Sequence, residues 1–192
     1  MKNSKLIVNF LLTAFLLLSP SAWTDDNNKI YGHKIEKKVV VQKYPFQPMV
    51  ERKVKETELN CLAKAIYYEA GTQSIKGKEA VALVILNRTK EKSNFFPSSI
   101  CHVISQKINR VCQFSYYCMK LPKPIGKNWK ESKEIAFRIL NNVVNPQTKK
   151  IISNAVYFHS VKVSPPWKYD RDVRFVAKIG DHLFYSDRTV VF

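Results

Sequence analysis

Thr57-Glu58-Leu59-Asn60-Cys61-Leu62-Ala63-Lys64-Ala65-Ile66-Tyr67-Tyr68-Glu69-Ala70-Gly71 decides the fold of this chain. Leu59, Leu62, Ala63, Ile66 and Ala70 recur at helical spacing and share one face. Thr57 suits an N-cap, Glu58 suits the positive end of the helix, and Gly71 supplies a stop. A second helix is expected from about Ile75 to Lys92. Its run Ala80-Val81-Ala82-Leu83-Val84-Ile85-Leu86-Asn87-Arg88 is apolar on most sides, which marks a central, buried helix. Phe95-Phe96-Pro97 ends it.

Downstream, Ser98–Gln106 reads as a short helix and Lys130–Asn142 as an amphipathic one, with Ile135, Ala136, Ile139 and Leu140 inward. Between them Val111-Cys112-Gln113-Phe114-Ser115-Tyr116-Tyr117-Cys118 is too short and aromatic for a surface helix, and a constrained loop or hairpin is expected. Ala155–His159, Phe175–Ile179 and His182–Tyr185 read as short strands, with Gly180-Asp181 as a hairpin turn. Helices come first and strands last, so the expected class is α+β.

Upstream, the chain changes character. Lys2 and Lys5 precede an apolar run from Leu6 to Leu18, then Ser19-Pro20-Ser21-Ala22. This order reads as a secretory signal peptide over residues 1–24. The run is shorter than the ~20 residues of a spanning helix, so no stable membrane span is expected once the signal is removed. Residues 25–56 are polar and Lys-rich, an extended basic linker or arm. Residues 57–192 form the expected compact domain. The expected location follows from export: periplasmic or extracellular.

Composition narrows the partners. The chain has 192 residues, 45% of them hydrophobic, enough for one real core. Lys and Arg number 32 against 15 Asp and Glu, a net charge of +17 that favours an anionic partner. Nucleic acid is the least favoured, because the chain is exported and lacks a recognition motif. Anionic envelope polymers remain.

The four cysteines, Cys61, Cys101, Cys112 and Cys118, form an even set in an exported chain and read as disulfides. Four cysteines permit three pairings, and sequence does not decide among them. The local pair Cys112–Cys118 with Cys61–Cys101 is favoured. A zinc site is disfavoured by the absence of any C-x-x-C pair. No metal or cofactor is called for.

Glu69 is the most informative acidic residue. It borders the apolar stripe at the negative end of its helix, and both conditions raise a carboxyl pKa. A protonated glutamate in an aromatic cleft can act as general acid in glycosidic cleavage. Taken alone it reads more simply as a surface glutamate, since most are exposed.

Several segments together carry a resemblance. They are Cys61–Ala70, Gly77–Arg88, Phe96–Cys101, Cys112–Ser115, Ala155–His159 and Ile179–Tyr185. In this order and spacing the chain resembles the SleB/CwlJ-type cell wall hydrolases, named for spore-cortex-lytic enzymes, from about residue 58 to 186. The resemblance implies a lysozyme/lytic-transglycosylase-like fold and peptidoglycan glycan strands as substrate. The Glu of the family's Tyr-x-Glu-Ala motif, here Glu69, would be the catalytic acid. The chain departs from the family pattern at Gly71-Thr72-Gln73, where an Arg-Gly-Glu-like run is frequent, and beside His159.

Hydrolysis usually needs two carboxylates, and no second one accompanies Glu69 in a recognisable motif. Glu79, on the next helix, reads as solvated. Asp170 and Asp172 read as a locally paired loop. A single acid suffices if the sugar's own 6-hydroxyl attacks the anomeric carbon, the lytic transglycosylase route. Gln113, Ser115, Tyr116, Tyr157, His159 and Trp167 are the expected substrate-binding residues. Phe114 reads as core. Tyr157 and His159 alternate with Val156 and Phe158, so they should share one face of a strand. Two other functions stand beside this one. The first is a wall amidase or peptidase using a cysteine with His102, His159 or His182. The second is a non-catalytic envelope-binding protein.

Overall fold

The computed structural model describes residues 54–192. The signal peptide and nearly all of the basic arm fall outside the described residues. The first helix, α1 (Glu56–Ala70), buries Leu62, Ala63, Ala65, Ile66 and Ala70. It starts one residue before the expected cap. Lys55 occupies the N-cap position without a side-chain bond, and Thr57 lies inside the first turn. Glu58 reaches across the fold and accepts the backbone N–H of Ile100 at 2.8 Å. Gly71 follows α1 with ordinary right-handed torsions. Its need is for space, since a Cβ there would collide with the Tyr67 carbonyl oxygen.

α2 (Ile75–Lys90) runs through the centre of the domain, buried from Gly77 to Ile85 and again at Asn87 and Arg88. Ser74 caps it, accepting from the backbone N–H of Gly77. α3 (Ile100–Ser105) is capped by Ser99. The aromatic loop divides into a small hairpin, β1 (Lys107–Ile108) with β2 (Val111–Cys112), and a 3-10 turn, Ser115–Cys118. α4 (Gly126–Leu140) starts four residues earlier than its apolar pattern predicts and buries Ser132, Ile135, Ala136 and Ile139. α5 (Pro146–Ile151) carries too few apolar residues to show a period. Its signal is the cap itself: Asn145 accepts from the N–H groups of Gln147 and Thr148, with Pro146 at the first turn.

The last third is an antiparallel sheet ordered β3-β5-β4, with β3 at Tyr157–Ser160, β4 at Val173–Ile179 and β5 at His182–Asp187. Gly180 turns β4 into β5 with a positive φ of 57°. The fold class is therefore α+β, helices before strands. Among the described residues no helix is long and apolar enough to cross a membrane.

Polar ties join the helical layer to the sheet. Asn87 on α2 donates to the carbonyls of Ile152 and Ala155 at 2.7 and 2.9 Å. Arg88 Nε donates to the carbonyl of Val156 at 2.7 Å. Three consecutive bonds from one helical turn thus fix the chain as it enters β3. Gln73, between α1 and α2, holds the β4–β5 turn. Its Nε2 donates to Asp181 Oδ2 and its Oε1 accepts from the Asp181 N–H, each at 3.0 Å.

The sulfurs pair as Cys61–Cys101, tying α1 to α3, and Cys112–Cys118, closing the aromatic loop. All four thiols are consumed, and among the described residues no cysteine is free. A thiolate nucleophile is not available in this state, which removes the chemical basis of the cysteine–histidine alternative.

Candidate active site

The end of α1, the cystine loop and β3 surround a cavity of about 330 Å³. Glu69 lines it together with Gln113 and Ser115 of the loop, His159 of β3 and His182 of β5. Arg88 and Phe158 also line it, and both continue, with Gln113, into a second cavity of about 410 Å³. Tyr157, Trp167, Asp170, Asp172 and Asp187 lie along this second part. The two cavities share these three residues and form one cleft along β3. Because β3 pairs only with β5, its other edge is unpaired. Residues from both faces of the strand therefore border the cleft. Tyr157 and His159 do not share one part of it: Tyr157 lines the second cavity, His159 the first, and Phe158 both.

Glu69 is half-buried. Burial pushes its carboxyl up to about 7, against the opposing pull of the Arg88 charge. Among the described residues no ion pair joins the two. Arg88 itself is 5% exposed. Its guanidinium lies 5.0 Å from the Phe96 ring, 5.3 Å from Phe114 and 5.7 Å from Tyr157. Burial lowers its pKa to about 10, which still leaves it charged at neutral pH. Its Nη1 is buried with no hydrogen-bond partner. The motif Leu86-Asn87-Arg88 was visible in the sequence, but nothing there distinguished Arg88 from a surface helix residue. Its role depends on which face of α2 meets the sheet.

The two histidines of the first cavity differ. His159 Nδ1 lies 2.8 Å from the Ser160 carbonyl and Nε2 lies 3.0 Å from the Tyr185 hydroxyl. The carbonyl can only accept, so Nδ1 carries the hydrogen and Nε2 accepts from Tyr185. Both nitrogens are occupied, and His159 offers the cavity only its ring. His182 is buried with Nδ1 unpartnered, and burial lowers its pKa. It is the freer polar group, although the sequence favoured His159.

Other residues also land differently from expectation. Tyr116 lines neither cavity. It stacks on Tyr68 at 4.8 Å and packs into the core, because the Cys112–Cys118 loop folds its ring inward. The ring is 9% exposed and so presents little surface for a sugar platform. Phe114 is buried, as expected of core. Glu79 is not solvated: it is 2% exposed and its Oε1 pairs with Arg138 Nη2 at 3.6 Å. It faces the α4–α5 junction and lines neither cavity. Asp170 and Asp172 do interact locally, through the Asp172 N–H to Asp170 Oδ1 at 3.1 Å.

The sequence matches the Cell Wall Hydrolase family over residues 72–185. The match covers more than half of the chain, and the chain belongs to that family. It begins three residues after Glu69, so Glu69 stands just outside the matched segment. The catalytic domain of the Bacillus cereus SleB protein is similar in structure, at 25% sequence identity, covering 68% of this chain and 90% of that one, with a TM-score of 0.49. No curated protein matches the chain.

Proposed function

We propose that this protein cleaves the glycan strands of peptidoglycan outside the cytoplasm, as a lytic transglycosylase with Glu69 as its single acid/base. Family membership supports the coarse part of this reading, a hydrolase of the cell wall. The observation that carries the finer part is Glu69. It is a half-buried carboxyl at the wall of an open cleft, held near 7 and without an ion-pair partner. Such a group is protonated in a useful fraction at neutral pH and can also take a proton back.

The steps balance on one carboxyl. Glu69 gives its proton to the glycosidic oxygen as the bond from that oxygen to the anomeric carbon breaks. The 6-hydroxyl of the same sugar attacks that carbon, and its proton passes to the Glu69 carboxylate. The products are a 1,6-anhydro-muramic end and a free hydroxyl on the leaving sugar. Positive charge develops at the ring between these events, and the substrate's N-acetyl group is placed to stabilise it. Gln113 and Ser115 supply short polar groups for N-acetyl and hydroxyl contacts, and His182 supplies an unpartnered ring nitrogen. The signal peptide over residues 1–24 delivers the protein to its substrate, and the basic arm over 25–56 adds affinity for anionic envelope polymers.

The test is mass spectrometry of fragments released from purified peptidoglycan by wild type and Glu69→Gln. Anhydromuropeptides that vanish in the variant are expected. Reducing muramic ends would replace the transglycosylase with a hydrolase that positions a water. Free peptides without glycan scission would overturn the glycosidase reading.

A further inference from the structure

The second cavity is unlike the rest of the molecule in charge. The whole chain carries +17, yet Asp170, Asp172 and Asp187 all line this one space. Asp187 is anchored: the Tyr157 hydroxyl donates to its Oδ2 at 3.2 Å, and the Thr189 N–H and hydroxyl donate to Oδ1 at 2.8 and 2.6 Å. Asp170 and Asp172 are freer. Their cationic neighbour in the loop, Arg171, is 93% exposed along its side chain and 3.5 Å from Asp172. An exposed pair of this kind contributes little. The three carboxylates do not make a metal site, for among the described residues no three His, Cys, Asp or Glu side chains are grouped to hold an ion.

Arg88 is the second, independent observation. It lines the same cavity, is almost wholly buried, and keeps Nη1 without an acceptor. A buried, unmatched guanidinium N–H is costly and calls for an anionic or carbonyl oxygen. Among the described residues no ion pair joins Arg88 to any of the three aspartates, so the cavity is lined by a cation and carboxylates that do not neutralise each other directly. Tyr157 touches both kinds of charge: its hydroxyl donates to Asp187, and its ring centroid lies 5.7 Å from the Arg88 guanidinium. Trp167, 5.2 Å from Tyr157 between ring centroids, closes one wall.

We propose that the second cavity is a peptide subsite that binds an unacylated amino-acid head group, with its carboxylate toward Arg88 and its ammonium toward Asp170 and Asp172. The subsite rests on the glycan-strand reading above. The two cavities share Arg88, Gln113 and Phe158, so a sugar bound at Glu69 would lead its attached peptide into the second cavity. The protein would then select strands whose peptides still present a free zwitterion.

The probe is the tripeptide L-alanyl-γ-D-glutamyl-meso-diaminopimelate, acetylated at its alanine nitrogen, titrated calorimetrically into the full chain. Two modified probes remove one charge each, by acetylating the side-chain amine or by amidating the side-chain carboxyl. The zwitterionic probe is expected to bind about tenfold more tightly than either. Asp170→Asn combined with Asp172→Asn should abolish the discrimination against the acetylated amine and retain that against the amide. No binding, equal binding of all three probes to wild type, or undiminished amine discrimination in the variant overturns the proposal. Cleavage of peptide-stripped glycan strands, assayed on the same preparation, separates the two readings. Cleavage without probe discrimination overturns the subsite alone. Discrimination without cleavage supports the subsite and overturns the glycosidase.

Discussion

Two buried regions each set a glutamate near an arginine, and they treat the pair in opposite ways. At the α4–α5 junction, Glu79 on α2 meets Arg138 at 3.6 Å, and the nearby Asn145 backbone and Thr148 side chain also favour its charged form. Desolvation raises its pKa, and each of these partners offsets part of the rise. At the cleft, Glu69 faces Arg88 without an ion pair, and its pKa stays near 7. A carboxylate whose partners offset its desolvation is drawn toward its charged form and holds structure. One left unmatched beside a cavity keeps a proton it can transfer. The difference lies in the neighbours, since both residues are helical glutamates beside apolar faces.

The contrast is sharpest in paired substitutions. Glu69→Gln is expected to lower turnover on peptidoglycan by about 10²–10⁴-fold with an unchanged circular dichroism spectrum. A variant that keeps wild-type turnover would break the comparison at its functional end. Glu79→Gln should do the reverse. Arg138 reaches solvent, so losing its partner costs about 1 kcal/mol, a fall in Tm of roughly 2–4 °C for a domain of this size. Turnover per folded molecule should stay near wild type. Loss of activity at temperatures where Glu79→Gln is fully folded would place Glu79 in the chemistry after all.

The pH profile sharpens the same point. The proposed acid must enter the reaction protonated, so kcat/KM should fall as pH rises through about 7, and this limb should vanish from any residual activity of Glu69→Gln. A limb near the ordinary carboxylate value would mean that the cleft leaves Glu69 solvated. The smallest effect is on stability. The folded pKa of Glu69 lies above its unfolded value, so ionising it disfavours the fold, and stability should fall between about pH 4.5 and 7. Glu69→Gln removes that penalty. The gain at pH 8 should be on the order of 1 kcal/mol, because solvent screens a half-buried group. Denaturant unfolding of the two proteins at pH 5 and pH 8 reads it directly.

Much of this was legible in the sequence and some was not, for identifiable reasons. α2 announced itself because a helix buried on most sides is apolar on most sides. Gly180-Asp181 announced the β4–β5 turn because a left-handed residue favours glycine. α5 did not, since its stability comes from a cap and its contacts. Glu69 stood out through its place beside an apolar stripe, whereas Glu79, buried just as truly, read as solvated because its partners come from elements more than fifty residues away. Tyr116 and Phe114 occupy one short loop; Phe114 reads as core from the sequence, and only the folded loop shows that the Tyr116 ring turns inward with it.

The sequence by itself determined most element types, the helices-then-strands order and the prominence of Glu69, because periodicity, glycine and the placement of a charge at a helix end are local properties. The tertiary structure alone decided that Arg88 lies between two cavities, that His159 is occupied while His182 is not, and that three aspartates line one space. These are relations between elements distant in the chain, and they exist only once the open edge of β3 has been brought against α2.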